Sequence, residues 1–134
     1  MTNGADTTII GTNTAFLSIT KLAEGLKHPE RFIGLYFFGP VYAMKLLEIV
    51  RGEKTSDETV AWAQEWAPTI GKESVLINKE SVGFIVNRIN FAAYTEAYRV
   101  MQEGVASINP LRRKGLPFTG SQEVSGSIRS AAGA

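Results

Sequence analysis

The chain has 134 residues, with 44% hydrophobic and 20% charged side chains, so one ordinary soluble domain with a core of its own is possible. A formal net charge of +1 gives no global electrostatic case for nucleic acid or an anionic membrane, and the absence of cysteine excludes disulfides, thiolate catalysis and Cys-based zinc sites. The N-terminal stretch Met1 to Thr8 lacks the basic start and apolar core of a signal peptide, and no apolar run approaches the ~20 residues of a membrane helix. The expectation is a soluble, cytoplasmic protein.

Ile9 and Ile10, followed by Gly11-Thr12-Asn13-Thr14, predict a short strand that ends in a polar turn. Ser18 or Thr20 caps a helix whose apolar positions Ile19, Leu22, Ala23 and Leu26 recur at helical spacing. His28-Pro29 should end it, because the residue before proline is pushed out of the α region. Arg31 to Phe38 is an almost unbroken apolar run rich in aromatic residues, which predicts a strand covered on both faces. Gly39-Pro40 punctuates it. Lys45 to Val50 predicts another strand, with Leu46, Glu48 and Val50 on one side and Lys45, Leu47 and Ile49 on the other.

Thr55 and Glu58 make a capping-box pattern for the next helix, on which Val60, Ala63, Ala67 and Ile70 share a face and Trp62 and Trp66 stack along an adjoining stripe. Pro68 should kink or shorten it, and Gly71 is a natural C-terminal cap. Ser74 to Asn78 reads as a short strand. Phe84 to Glu103 contains no glycine or proline and predicts a long helix stopped by Gly104, with Ile85, Ile89, Ala93 and Ala97 on one face. This alternation of strands and helices is an α/β pattern. Asn109 to Ala134 is rich in Gly, Ser and Arg, has no apolar period, and reads as a disordered tail in which Arg112, Arg113 and Lys114 are solvated surface.

Four positions could carry chemistry. Glu48 lies in the middle of an apolar strand, so it is either a buried carboxylate with a partner, suited to orienting an acid or base, or an edge-strand residue facing water. The local pattern leans to the edge. His28, the only histidine, sits in a polar turn and reads as surface. No carboxylate cluster has metal-ligand spacing. Asn13 follows the first strand at its carboxyl end, where open α/β sheets bind ligands, and Asn87 opens the long helix; either could contact a ligand or simply serve its turn. No Gly-x-Gly-x-x-Gly phosphate loop occurs.

Several collinear segments carry a resemblance: Thr12-Asn13-Thr14 with Leu17-Ser18-Ile19-Thr20, His28-Pro29-Glu30-Arg31-Phe32-Ile33-Gly34, Phe37-Phe38-Gly39-Pro40-Val41, Met44 to Val50, Thr55 to Thr59, Gly71-Lys72, and Gly83-Phe84-Ile85-Val86-Asn87-Arg88. From about Thr8 to Ser107 the chain resembles the L-3-hydroxyacyl-CoA dehydrogenases of fatty-acid β-oxidation. The resemblance implies a partial Rossmann-like fold. Residues 1–80 would be the second half of an NAD-binding domain, residues 81–107 the long helix that begins a helical C-terminal domain, and residues 108–134 the tail. It also implies that the glycine-rich half precedes residue 1. The family's reaction is NAD-dependent oxidation of an L-3-hydroxyacyl-CoA to a 3-ketoacyl-CoA by a histidine base that a glutamate orients. Glu48 falls at the glutamate, Asn13 near the nicotinamide end of NAD, and Asn87 at the acyl group.

The departures cluster in the implied site. Tyr36 stands at the histidine position, Gly39 replaces the asparagine of Phe-Phe-Asn-Pro, Ala15 and Phe16 replace two serines, and Val82 replaces a proline. A phenol ionises near pH ~10 and an imidazole near ~6.5, so the exchange removes a base suited to neutral pH. The expectation is an acyl-CoA- and NAD-related protein, truncated and catalytically impaired, that forms homo-oligomers through its long helix. The alternatives are a non-catalytic structural fragment and one piece of a split dehydrogenase.

Overall fold

The computed structural model describes residues 7–105; the expected tail, with its basic cluster, and the first six residues lie outside them. Two compact units are distinguished, residues 1–84 and residues 85–134. The first contains β1 (Ile10–Thr12), α1 (Ile19–Ala23), a 3-10 turn (Pro29–Arg31), β2 (Phe32–Phe37), β3 (Leu46–Val50), α2 (Asp57–Thr69) and β4 (Glu73–Ile77). The second contains α3 (Val86–Gln102). The elements follow the order that hydrophobic patterning predicts, and the class is α/β, Rossmann-like and partial, followed by a long helix.

The strands form one open sheet in the order β1-β2-β3-β4. β1 and β2 are parallel, as are β3 and β4, while β2 and β3 are antiparallel. Chain length explains the reversal. Residues 38–45 are too few for a parallel crossover, which takes a dozen or more, whereas α2 supplies that crossover between β3 and β4.

Alternation along β2 and β3 sorts their side chains onto two faces. Ile33, Leu35, Leu47 and Ile49 pack against Val60, Ala63 and Ala67 of α2, with Ile9, Phe37, Trp66 and Leu76 at the margin. Burying each of the larger aliphatic side chains contributes about 1.5–3 kcal/mol. Trp62 and Trp66 stack at 5.5 Å between ring centroids, as their spacing predicts. The opposite face carries Gly34 and Tyr36 of β2 beside Val50 and Glu48 of β3. Here glycine has a specific purpose: a Cβ on Gly34 would lie 2.7 Å from Val50 Cβ and 3.0 Å from Ile19 Cδ1, so its absence lets α1 settle on the sheet.

Four expectations are corrected. β3 is not an edge strand, because it lies between β2 and β4, and Glu48 is 0% exposed. The cap of α2 is Ser56, whose Oγ accepts from Thr59 N at 3.2 Å. Thr55 instead turns inward, donating to Phe32 O at 2.7 Å and accepting from Gly52 N at 3.0 Å. α1 ends at Ala23, well before His28-Pro29, so the proline is not what stops it. Ile70 is exposed and falls outside the buried face of α2.

Pro68 sits in the last turn of α2, where Gly71, at φ 71°, reverses the chain. α3 is amphipathic, with Ile89, Phe91, Tyr94 and Tyr98 exposed, and Gly104 follows it at φ 71°. No helix among the described residues is long and apolar enough to cross a membrane.

Candidate functional site

Because β2 and β3 run in opposite directions, the carboxyl ends of β1 and β2 meet the amino ends of β3 and β4 at one end of the sheet. Two side chains tie that end together. Asn13 Oδ1 accepts from Phe37 N at 2.8 Å, which extends the β1–β2 pairing past the last strand residue. Lys72 Nζ donates to Met44 O at 2.7 Å and to Val41 O, fixing the turn that leads from β2 into β3.

Tyr36 and Glu48 are direct cross-strand partners near this end and therefore share a face. Opposed residues of an antiparallel pair carry their Cβ atoms about 4.5–5.5 Å apart. Glu48 is fully buried and Tyr36 half-buried. The Tyr36 ring meets Phe38 edge-on at 4.8 Å and Phe84 at 5.9 Å between centroids. A carboxyl group so placed sits in a low-dielectric layer, where its ionised form depends on hydrogen bonding or opposite charge.

Glu80 has a role that the sequence did not signal. Its carboxylate accepts from Ser18 Oγ at 3.1 Å, from Thr20 N at 3.0 Å and from Thr20 Oγ1 at 2.7 Å, closing the N-terminus of α1. Thr20 Oγ1 in turn accepts from Glu53 N at 3.0 Å, beyond the carboxyl end of β3. Residues 13–20 thus run from one end of the sheet to the other. Nothing local in Lys79-Glu80-Ser81 announces a partner some sixty positions earlier in the chain.

A pyrophosphate needs free backbone amides at a helix start or in a glycine-rich turn. α1 offers none, since an internal carboxylate already occupies that place. The start of α2 is capped by Ser56 and carries Asp57 and Glu58, which repel a phosphate. The described residues therefore do not fit the phosphates of a dinucleotide. No group of His, Asp and Glu among the described residues could hold a metal ion. Asn87 lies in the first turn of α3, in the second unit.

An open α/β sheet with a helical crossover between parallel strands is the architecture that dinucleotide-binding domains share. The chain's relatives make this specific. Residues 2–81 match the family described as 3-hydroxyacyl-CoA dehydrogenase, NAD binding domain, and the chain belongs to that family. It is 42% identical over 103 residues to the fatty acid oxidation complex subunit alpha of Pseudomonas syringae pv. syringae, which covers 77% of this chain and 14% of that protein. The structure of (S)-3-hydroxybutyryl-CoA dehydrogenase from Ralstonia eutropha superposes with a TM-score of 0.76 at 39% identity, covering 87% of this chain and 41% of that one. For 3-hydroxybutyryl-CoA dehydrogenase from Escherichia coli K12 the TM-score is 0.71 at 42% identity, covering 74% and 21%. The chain spans a minor part of the length of each.

Proposed function

We propose that this chain forms the substrate-side wall of a dehydrogenase of the 3-hydroxyacyl-CoA type and does not by itself turn over substrate. The carrying observation is the cross-strand pairing of Tyr36 with the buried Glu48. In this reading residues 1–80 are the second half of the NAD-binding domain, and residues 81–107 begin the helical C-terminal domain. The family reaction removes the hydroxyl proton of an L-3-hydroxyacyl-CoA as hydride passes to NAD. A phenol in place of the imidazole is a poor base near neutral pH. Tyr36 is accordingly a hydrogen-bonding partner of Glu48 and no longer a base, which leaves Glu48 a dyad member without its histidine. Asn13 is assigned to the nicotinamide end of NAD. Asn87 is assigned to the acyl group, on the resemblance alone.

NAD, an acyl-CoA and a cytoplasmic setting belong to this reading. The test is turnover of acetoacetyl-CoA with NADH by the purified chain. None is expected, and turnover abolished by Glu48→Gln would overturn the proposal. A second role is favoured by the exposed Ile89, Phe91, Tyr94 and Tyr98 of α3: assembly of copies through that helix. Light scattering tests it, and a monodisperse monomer counts against it.

A further inference from the structure

β4 ends the sheet on the side away from β1, and among the described residues no strand lies beyond it. Its backbone shows which groups face outward. Glu73 N donates to Lys45 O at 2.9 Å, and Ile77 O accepts from Arg51 N at 3.2 Å. In a parallel ladder the inward bonds of an outer strand fall on alternate residues, so Glu73, Val75 and Ile77 serve β3. The N–H and C=O groups of Ser74 and Leu76 therefore point away from the sheet. Ser74 is exposed, and Val75 and Leu76 are half-buried, so this edge is open at its middle.

An outer strand that stays single is blunted by shortness, by lysine or proline, or by a bulge. β1 is blunted in the first way, with three residues. β4 has five, holds an unbroken register with β3, and carries neither lysine nor proline.

We infer that β4 is a docking edge for a second copy of this chain, paired antiparallel about a two-fold axis through Val75. Ser74 of each copy then exchanges both backbone bonds with Leu76 of the other, and the two Val75 residues face each other as a non-hydrogen-bonded pair. That register uses every outward group of Ser74 and Leu76, and the sheet runs on through both copies. Charge selects the same direction. Glu73 stands at the amino end of β4 and Lys79 just past its carboxyl end, and both are exposed. Their charged neighbours are turned inward: Lys72 Nζ donates to Met44 O, and the Glu80 carboxylate holds Ser18 and Thr20. An antiparallel pair brings each Glu73 toward the second copy's Lys79, whereas a parallel pair would set like charges side by side. A five-residue edge buries less than the ~1,600 Å² of a standard interface, so the dimer should depend on concentration, with a Kd above about 1 μM.

The experiment follows the full chain by sedimentation equilibrium and amide exchange over about a hundredfold range of concentration around that Kd. Association is expected. The amides of Ser74 and Leu76 should gain protection as the dimer forms, while that of Val75, already bonded to β3, should not change. Ser74→Pro removes an outward donor and leaves the ladder to β3 intact, so it should weaken the dimer at least about tenfold at an unchanged melting temperature. Glu73→Lys and Lys79→Glu should each weaken it about fivefold or more, because symmetry places either change in both ion pairs, and the two together should restore it. A chain that stays monomeric across the range, protection at Ser74 and Leu76 that ignores concentration, or a charge exchange that fails to restore affinity would each overturn the edge dimer. So would association that survives Ser74→Pro and disappears with Tyr98→Asp, an outcome that assigns assembly to the exposed face of α3 instead.

Discussion

Replacing Gly34 with alanine tests how the site is held together. The added Cβ would stand 2.7 Å from Val50 Cβ and 3.0 Å from Ile19 Cδ1, against the 3.5–4.0 Å at which two carbons sit comfortably. Val50 Cβ cannot retreat, because it is fixed to the backbone of an interior strand that pairs with Gly34 itself. Ile19 can rotate, but it is fully buried and its movement takes α1 with it. Overpacking of this kind costs about 1–3 kcal/mol, and with one immovable partner the upper half of that range applies. For a domain of this size, about 2–3 kcal/mol lowers the melting temperature by roughly 8–20 °C. Thermal and urea unfolding followed by circular dichroism would measure it, and hydrogen exchange should rise first across Ile19–Ala23. Gly25→Ala is the comparison, since a Cβ there meets nothing within 4 Å and should leave stability unchanged or slightly raised. A Gly34→Ala protein that melts with the parent would refute the close approach of α1, and with it the placement of residues 13–20 over this face.

Thr55→Val keeps the shape of a buried side chain but strips the hydroxyl that accepts from Gly52 N and donates to Phe32 O. Leaving both backbone groups unsatisfied should cost about 2–4 kcal/mol, whereas Ser56→Ala, which removes only the α2 cap, should cost about 1 kcal/mol; the reverse ranking in urea unfolding would refute the inward hydrogen bonds of Thr55. Glu30 predicts an acid effect. Its carboxyl lies below the ordinary value of 4.5, first through a hydrogen bond from its own backbone amide, against some desolvation, and then through His28 and Arg31. Its stabilising contribution is therefore fully present above pH 4.5 and is lost as pH falls through the lower folded value. The difference in melting temperature between parent and Glu30→Gln should be constant above that window and vanish below it, and a difference that persisted in acid would disprove the linkage.

Apolar periodicity made β2, β3, α2 and α3 legible in the sequence, because each buries a face whose repeat is local. What escaped was decided between elements. Leu46-Leu47-Glu48-Ile49-Val50 reads the same on an edge or in the middle of a sheet, and only the pairing of β4 outside it buries Glu48. Thr55 and Ser56 are both competent caps, and the choice fell to Ser56 because Phe32 O and Gly52 N claim the threonine hydroxyl. Glu80 serves a helix some sixty positions earlier, so no window of sequence could reveal it. The candidate pair itself was legible through resemblance alone, and the reason it survives in space is register.

A one-residue slip of β3 would carry Glu48 into the dry layer against Val60, Ala63 and Ala67 and turn Leu47 and Ile49 away from it. The hydrophobic pattern of β3 forbids that slip regardless of what stands at position 36. Tyr36→His should therefore place an imidazole opposite Glu48, in the same register as the phenol it replaces. Gly39→Asn is also sterically open, since a Cβ on Gly39 meets nothing within 4 Å. A carboxylate neighbour favours the charged imidazole while burial opposes it, so subtracting Glu48 isolates the first effect. In the Tyr36→His protein the new imidazole should titrate at least about one pH unit higher with Glu48 in place than with Glu48→Gln, a difference readable by NMR without cofactor or substrate. An imidazole indifferent to Glu48 would mean that the cross-strand register does not bring these side chains together, and the dyad reading would fall whatever the chain catalyses.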